Sequence, residues 1–174
     1  MVTLLWEEVR QLERHIEDVE AELEQTAKEE PVIRTLRQIP GVGVLTATAL
    51  YASVGDIHAF KTGRHLASWL GLTPRESSSG DRRRLGRITK QGDPYLRTLL
   101  IHGARSALLA AERARRADRV LTHLQAWALE RAGEGHHNRA AVALANKLAR
   151  IAWAVWRHER TFDGDHALQA AVAA

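Results

Sequence analysis

Residues 33–51 read Ile33-Arg34-Thr35-Leu36-Arg37-Gln38-Ile39-Pro40-Gly41-Val42-Gly43-Val44-Leu45-Thr46-Ala47-Thr48-Ala49-Leu50-Tyr51, and this stretch decides the architecture. Helix-compatible residues run to Gln38 and resume at Val44, with Ile39-Pro40-Gly41-Val42-Gly43 between them. The pattern predicts two helices joined by a tight Gly-x-Gly turn, a helix-hairpin-helix. Its glycines permit positive φ and leave backbone N–H groups uncovered at the start of the second helix. Such groups, with the helix dipole, hold a DNA phosphate without reading sequence, which makes Gly41, Val42 and Gly43 candidate DNA contacts. A plain interhelical turn with no ligand accounts for the same residues.

Upstream, Leu5, Val9, Leu12, Ile16, Val19 and Leu23 follow spacings of 4, 3, 4, 3 and 4. That is a coiled-coil seam with Val9, Ile16 and Leu23 at a and Leu5, Leu12 and Val19 at d. Three heptads are marginal alone in water, so the seam needs a partner. A second copy of the chain is the expected one, making a homo-oligomer; an amphipathic helix packed on its own domain is the plainer reading. Pro31 is expected to end this helix.

Downstream, Thr62 is a plausible N-cap for a short helix closed by Gly71. Residues 72–93 break the helical pattern and read as an irregular basic Ser/Gly/Arg loop, with a short hairpin turning near Ser79-Gly80. Asp93-Pro94 restarts a helix whose apolar face carries Leu96, Leu99, Leu100, Gly103, Ala107 and Leu108. A further helix runs through about Ala132, and Asn138 is expected to cap a final one. The class is therefore mainly α: a coiled-coil helix at 1–30, a helical domain at 31–160 and a frayed tail at 161–174.

Length and composition agree. The 174 residues amount to about one domain, with 45% hydrophobic and 26% charged residues. The absence of cysteine excludes disulfides, thiolate–zinc sites and cysteine nucleophiles. No apolar run reaches the ~18–20 residues of a membrane span, and the N-terminus does not read as a signal peptide. A cytoplasmic protein without membrane contact is expected. The net charge of +4 hides an asymmetry. Residues 1–30 carry ten acids and three bases, whereas residues 61–105 carry ten bases and three acids. An acidic head and a basic middle suggest a partner-facing element followed by one that faces a polyanion.

Nine histidines offer no ligand spacing for a metal, and no carboxylate cluster supports a two-metal site. What remains is hydroxyl chemistry beside arginine. Ser77, Ser78 and Ser79 are followed by Gly80 and by Arg82, Arg83 and Arg84. Arginine can clamp phosphate bidentately and offset the charge a serine oxygen meets at phosphorus. On pattern alone, a flexible solvent loop explains these residues better.

Five ordered motifs change that weighting. Ile39-Pro40-Gly41-Val42-Gly43, Gly71-Leu72-Thr73-Pro74-Arg75, Ser78-Ser79-Gly80, Arg84-Leu85-Gly86-Arg87-Ile88-Thr89-Lys90-Gln91-Gly92-Asp93 and Leu96-Arg97 together resemble the C-terminal transposase domain of the bacterial insertion-sequence one-ten family. The runs Leu99–Arg105 and Asn146–Trp153 are similar to its eleven-eleven subgroup. The resemblance covers nearly the whole chain, to about Arg160. It implies a DNA recombinase guided by a bridge RNA, with a serine nucleophile in this domain and four metal-binding acids in a separate RNase H-like domain, where Mg2+ is expected. The serine before the loop glycine, Ser79, matches the nucleophile, with Ser78 as fallback. Arg75, Arg82, Arg83, Arg84, Arg87 and Lys90 are then expected to bind DNA backbone, and no metal ligand is expected in this chain. Nothing here matches the four-acid domain, so the sequence reads as a C-terminal fragment or truncated copy that would not cut DNA alone. The alternatives are a non-catalytic helix-hairpin-helix DNA-binding module and a purely structural dimerisation fragment.

Overall fold

Glutamate and leucine are the commonest residues at 2–29, with no glycine or proline among them. These helix formers build α1 (Val2–Glu29), about 42 Å long at 1.5 Å per residue. Glu30 is extended, as the residue before a proline tends to be, and Pro31 takes the first position of α2 (Pro31–Leu36). The computed structural model describes residues 2–77 and 84–165.

Helix α2 stops at Leu36, short of the expected Gln38, and the turn leads into α3 (Val44–Val54). A 3-10 turn at Ile57–Ala59 follows, then α4 (Gly63–Trp69), capped by Thr62 as expected. The described parts of residues 72–93 hold the expected short hairpin, and its turn near Ser79-Gly80 lies outside the described residues. Strands β1 (Pro74–Glu76) and β2 (Leu85–Ile88) pair antiparallel, Pro74 opposite Ile88 and Glu76 opposite Leu85, with an irregularity between. Helix α5 (Pro94–Arg116) starts at the Asp93 cap, whose Oδ1 accepts from Tyr95 N at 2.7 Å and Leu96 N at 3.2 Å. A Thr122–Gln125 capping box opens α6 (His123–Gly133), and α7 (His137–Arg157) completes the fold.

The core lies where α5 crosses α7. Leu96, Leu100, Ala104 and Leu108 recur every four residues on α5 and are fully buried. Helix α7 presents Leu144, Leu148, Ile151 and Val155 among many buried alanines, and it touches α2, α4, α5, α6 and the 3-10 turn. Small residues let its neighbours approach from several sides, so it becomes the central post of the domain. Leu99 and Ala107, expected on the α5 core face, are only partly buried because the stripe follows the i, i+4 row more closely.

Two local expectations fail. Asn138 does not cap α7; the helix begins at His137, and the Asn138 side chain accepts from Arg105 Nη2 at 3.1 Å. The stretch from Phe162 to Asp165 is not frayed. Phe162 N donates to Gln38 Oε1 at 3.3 Å, and Asp165 Oδ1 accepts from His123 N at 3.0 Å. Among the described residues no helix is long and apolar enough to cross a membrane.

Candidate nucleic-acid interface

Hydrogen bonds hold the hairpin in place from both ends. At its root, Thr89 N donates to Thr73 O at 2.9 Å and Lys90 N to Gly71 O at 3.1 Å. At its outer end Ser77 N donates to Arg84 O at 2.9 Å. Asn146, from α7, donates its Nδ2 to Leu72 O at 3.0 Å and ties the first strand's approach to the core. Lys90 sits at φ +57°, a region unfavourable for a side-chain-bearing residue, which marks the return from β2 as a constrained corner.

This frame displays cations. Arg75, Arg84, Arg87 and Lys90 are exposed, and with Ser77 and Ile88 they line an open pocket of about 510 Å³. Arg75 is steadied by a 3.3 Å hydrogen bond from its Nη2 to Thr89 O. Leu85 stands exposed among the charges, while Ile88 packs against the core. Exposed cations grouped in this way attract anions. Of the expected site residues, Ser78, Ser79, Arg82 and Arg83 lie outside the described residues; Arg75, Arg84, Arg87 and Lys90 are brought together on the hairpin.

The Gly-x-Gly turn is a different kind of surface. Gly41 has φ +85°, and a Cβ there would sit 2.3 Å from Gly103 O, on α5. A Cβ on Gly103 would in turn sit 1.9 Å from Gly41 O. Gly41 is therefore required by backbone-to-backbone packing. Val42 is buried, and its N–H already donates to Ile39 O at 2.9 Å, so Val42 offers little to a ligand. Gly43 alone of the three is exposed, with nothing near its Cβ position, and no side chain caps α3 behind it. The turn and α5 bound an open groove of about 550 Å³ whose lining includes Arg37, Gly43, His102 and Ser106.

Sequence reasoning left other cations unweighed. Arg97 is spent on the fold: its Nη1 reaches Leu70 O at 3.2 Å and two further carbonyls. Lys147, quoted above only inside a motif, is nearly buried on α7 beneath Trp127. Burial, with Arg150 and Arg131 close by, pushes its ammonium down to about 8. A lysine in a helix reads as a surface residue, and no sequence signal marked this one as a core residue.

The sequence model described as "Transposase IS116/IS110/IS902 family" matches residues 33–119, from α2 to just past α5. The chain is 42% identical over 158 residues to a probable family 20 transposase of Pseudomonas aeruginosa, covering 91% of this chain and 45% of that protein. It is 43% identical over 162 residues to the transposase for insertion sequence element IS1111A of Coxiella burnetii, covering 93% and 43% respectively. The transposase for IS1328 of Yersinia enterocolitica is 35% identical over 155 residues, covering 89% and 45%. The chain thus spans less than half the length of these relatives. The half of it that carries the turn, the hairpin and α5 is what the family model describes, and the chain belongs to the IS116/IS110/IS902 transposase family.

Proposed function

We propose that this chain is the DNA-binding, serine-bearing part of a transposase that cuts and rejoins DNA. The observation that carries the reading is the hairpin, whose paired strands bring Arg75, Arg84, Arg87 and Lys90 together, with Ser78 and Ser79 between those strands in the sequence. In the proposed step the Ser79 oxygen forms a bond to a backbone phosphorus while the bond from phosphorus to one DNA oxygen breaks. The severed DNA end leaves, and a DNA hydroxyl reverses the step during rejoining. The hairpin cations, with Arg82 and Arg83, offset the negative charge that builds up on the phosphate. Gly43 at the open start of α3 adds a sequence-independent backbone contact.

The residues described here do not fit a Mg2+ site, since no three of their His, Asp or Glu side chains cluster. Mg2+ and the base that takes the serine proton belong, in this reading, to a separate acidic domain, and target choice to a bridge RNA. The chain alone is then inactive. Assembly runs through α1, whose seam residues Leu5, Leu12, Ile16 and Val19 are all more than half exposed among the described residues. A homodimer covers them. DNA as substrate fits a cytoplasmic location.

The test is covalent capture. The chain is joined to an acidic transposase domain, with guide RNA and matching DNA supplied, and a serine–DNA adduct is expected. Ser79→Ala abolishes the adduct and leaves DNA binding nearly intact. An adduct lost only in Ser78→Ala moves the nucleophile by one position. DNA binding with no adduct in the unmodified protein makes this a non-catalytic DNA-binding module.

A further inference from the structure

Lys147 is the one charged side chain buried among the described residues, at 9% exposure. Its Nζ lies 3.8 Å from the centre of the Trp127 ring, which α6 lays across it. Arg131, one turn further along α6, approaches the same ring to 5.9 Å, and Glu134 is committed to Arg131 at 2.6 Å. The nearby charges that act on Lys147 are Arg150 and Arg131, both positive. Among the described residues Lys147 makes no hydrogen bond or ion pair.

That combination is unfavourable for an isolated protein. Burying an ammonium disfavours its charged form, and two neighbouring cations add to the penalty. An aromatic face offsets part of it. A methionine or leucine would fill the same space without the penalty. The arrangement makes sense if an anion arrives from outside, because the buried Lys147 ammonium then gains a charge partner.

The position favours a phosphate already close to the proposed interface. Asn146, the residue before Lys147, holds the foot of the hairpin through Leu72 O. The Arg150 backbone packs at 3.0 Å against the Cβ position of Gly63, the first residue of α4. From there α4 runs about 10 Å to the root of the hairpin.

We infer that Lys147, held by Trp127 and flanked by Arg131 and Arg150, contacts a DNA backbone phosphodiester next to those gripped by the hairpin. Lys147 is the binding residue, and Trp127 positions its ammonium. The inference rests on the DNA-binding reading above and extends its footprint from the hairpin to the α6–α7 face.

Two measurements on the 174-residue chain test it. In the first, the lysine side-chain amines are labelled and the Lys147 titration is followed by NMR with and without a mixed-sequence 20-base-pair duplex. The duplex is expected to move the Lys147 midpoint upward from about 8. A midpoint that does not move at saturating DNA overturns the inference, even if Lys147→Met proves unfolded. In the second, the slope of log affinity against log salt is compared for the unmodified chain, Lys147→Met and the double variant Arg84→Ala/Arg87→Ala. Loss of one phosphate contact in Lys147→Met flattens the slope by about 0.9 and does so for any duplex sequence. A flattened slope in the hairpin variant with an unchanged one in Lys147→Met overturns the Lys147 contact and leaves the hairpin reading standing. Unchanged slopes in both overturn both. A midpoint shift produced by duplex RNA and not by DNA overturns the assignment to DNA.

Discussion

Helices α1 and α7 are both long and amphipathic, yet they end in opposite situations. Helix α7 buries eleven of its 21 residues and is touched by most of the domain. Helix α1 buries Ala27 near its C-terminal end, while Leu5, Leu12, Ile16 and Val19 stay between 54% and 58% exposed. The difference lies in the width and make-up of the apolar face. On α7, alanines alternate with leucines over a broad arc, which admits several neighbours at short range. On α1 a narrow 3.5-residue stripe is hemmed by Glu8, Glu13, Glu20 and Glu22, a shape that suits one partner helix. Periodicity alone says that both are helices; face width says how many neighbours each can take.

The sharpest way to break this comparison is to damage the two faces separately. Leu148→Ala in the middle of α7 removes a fully buried side chain and is expected to destabilise the chain by about 2–5 kcal/mol in urea unfolding. A loss near zero would mean α7 is not the central post. The second effect is smaller and depends on pH. The native Lys147 titrates near 8 and the unfolded one near 10.5, so between those values the unfolded chain holds the extra proton. Stability therefore rises with pH across that window, and Lys147→Met removes this part of the rise. Equal pH profiles for the two proteins would show that Lys147 is not desolvated in solution. The smallest effect on stability belongs to α1. Ile16→Asp should shift the unfolding free energy of the monomer by less than about 0.5 kcal/mol, because the site is exposed. In sedimentation, however, it should dissociate the dimer proposed above. If the unmodified chain is already monomeric at tens of micromolar, on the order of usual assay concentrations, the stripe serves some other contact.

What the sequence made legible was mostly local. The Thr62 and Asp93-Pro94 starts and the stop before Pro31 depend on residues within one turn of each other, and all three are present in the fold. The failures are tertiary. Asn138 looks like a cap until Arg105, 33 positions away, takes its side-chain oxygen. Residues 162–165 look like a loose end until Gln38 and His123 bind them. The candidate interface was legible as a set of cations between residues 75 and 90, because charge shows in the sequence. That Val42 faces inward and Lys147 lies under an indole follows from where α5 and α6 come to rest, which no spacing encodes.

The contact between Gly41 and Gly103 has a mechanical consequence. Where two helices meet through side chains, small shifts are absorbed by rotamer changes at the contact. Here one backbone rests on another, with no rotamers between them. A push on the turn therefore passes undamped into α5, and α5 begins at the Asp93 cap where the hairpin returns to the domain. Turn and hairpin root, about 15 Å apart along that helix axis, are coupled like two fittings on one rod. A ligand gripped at one end constrains the orientation of the other.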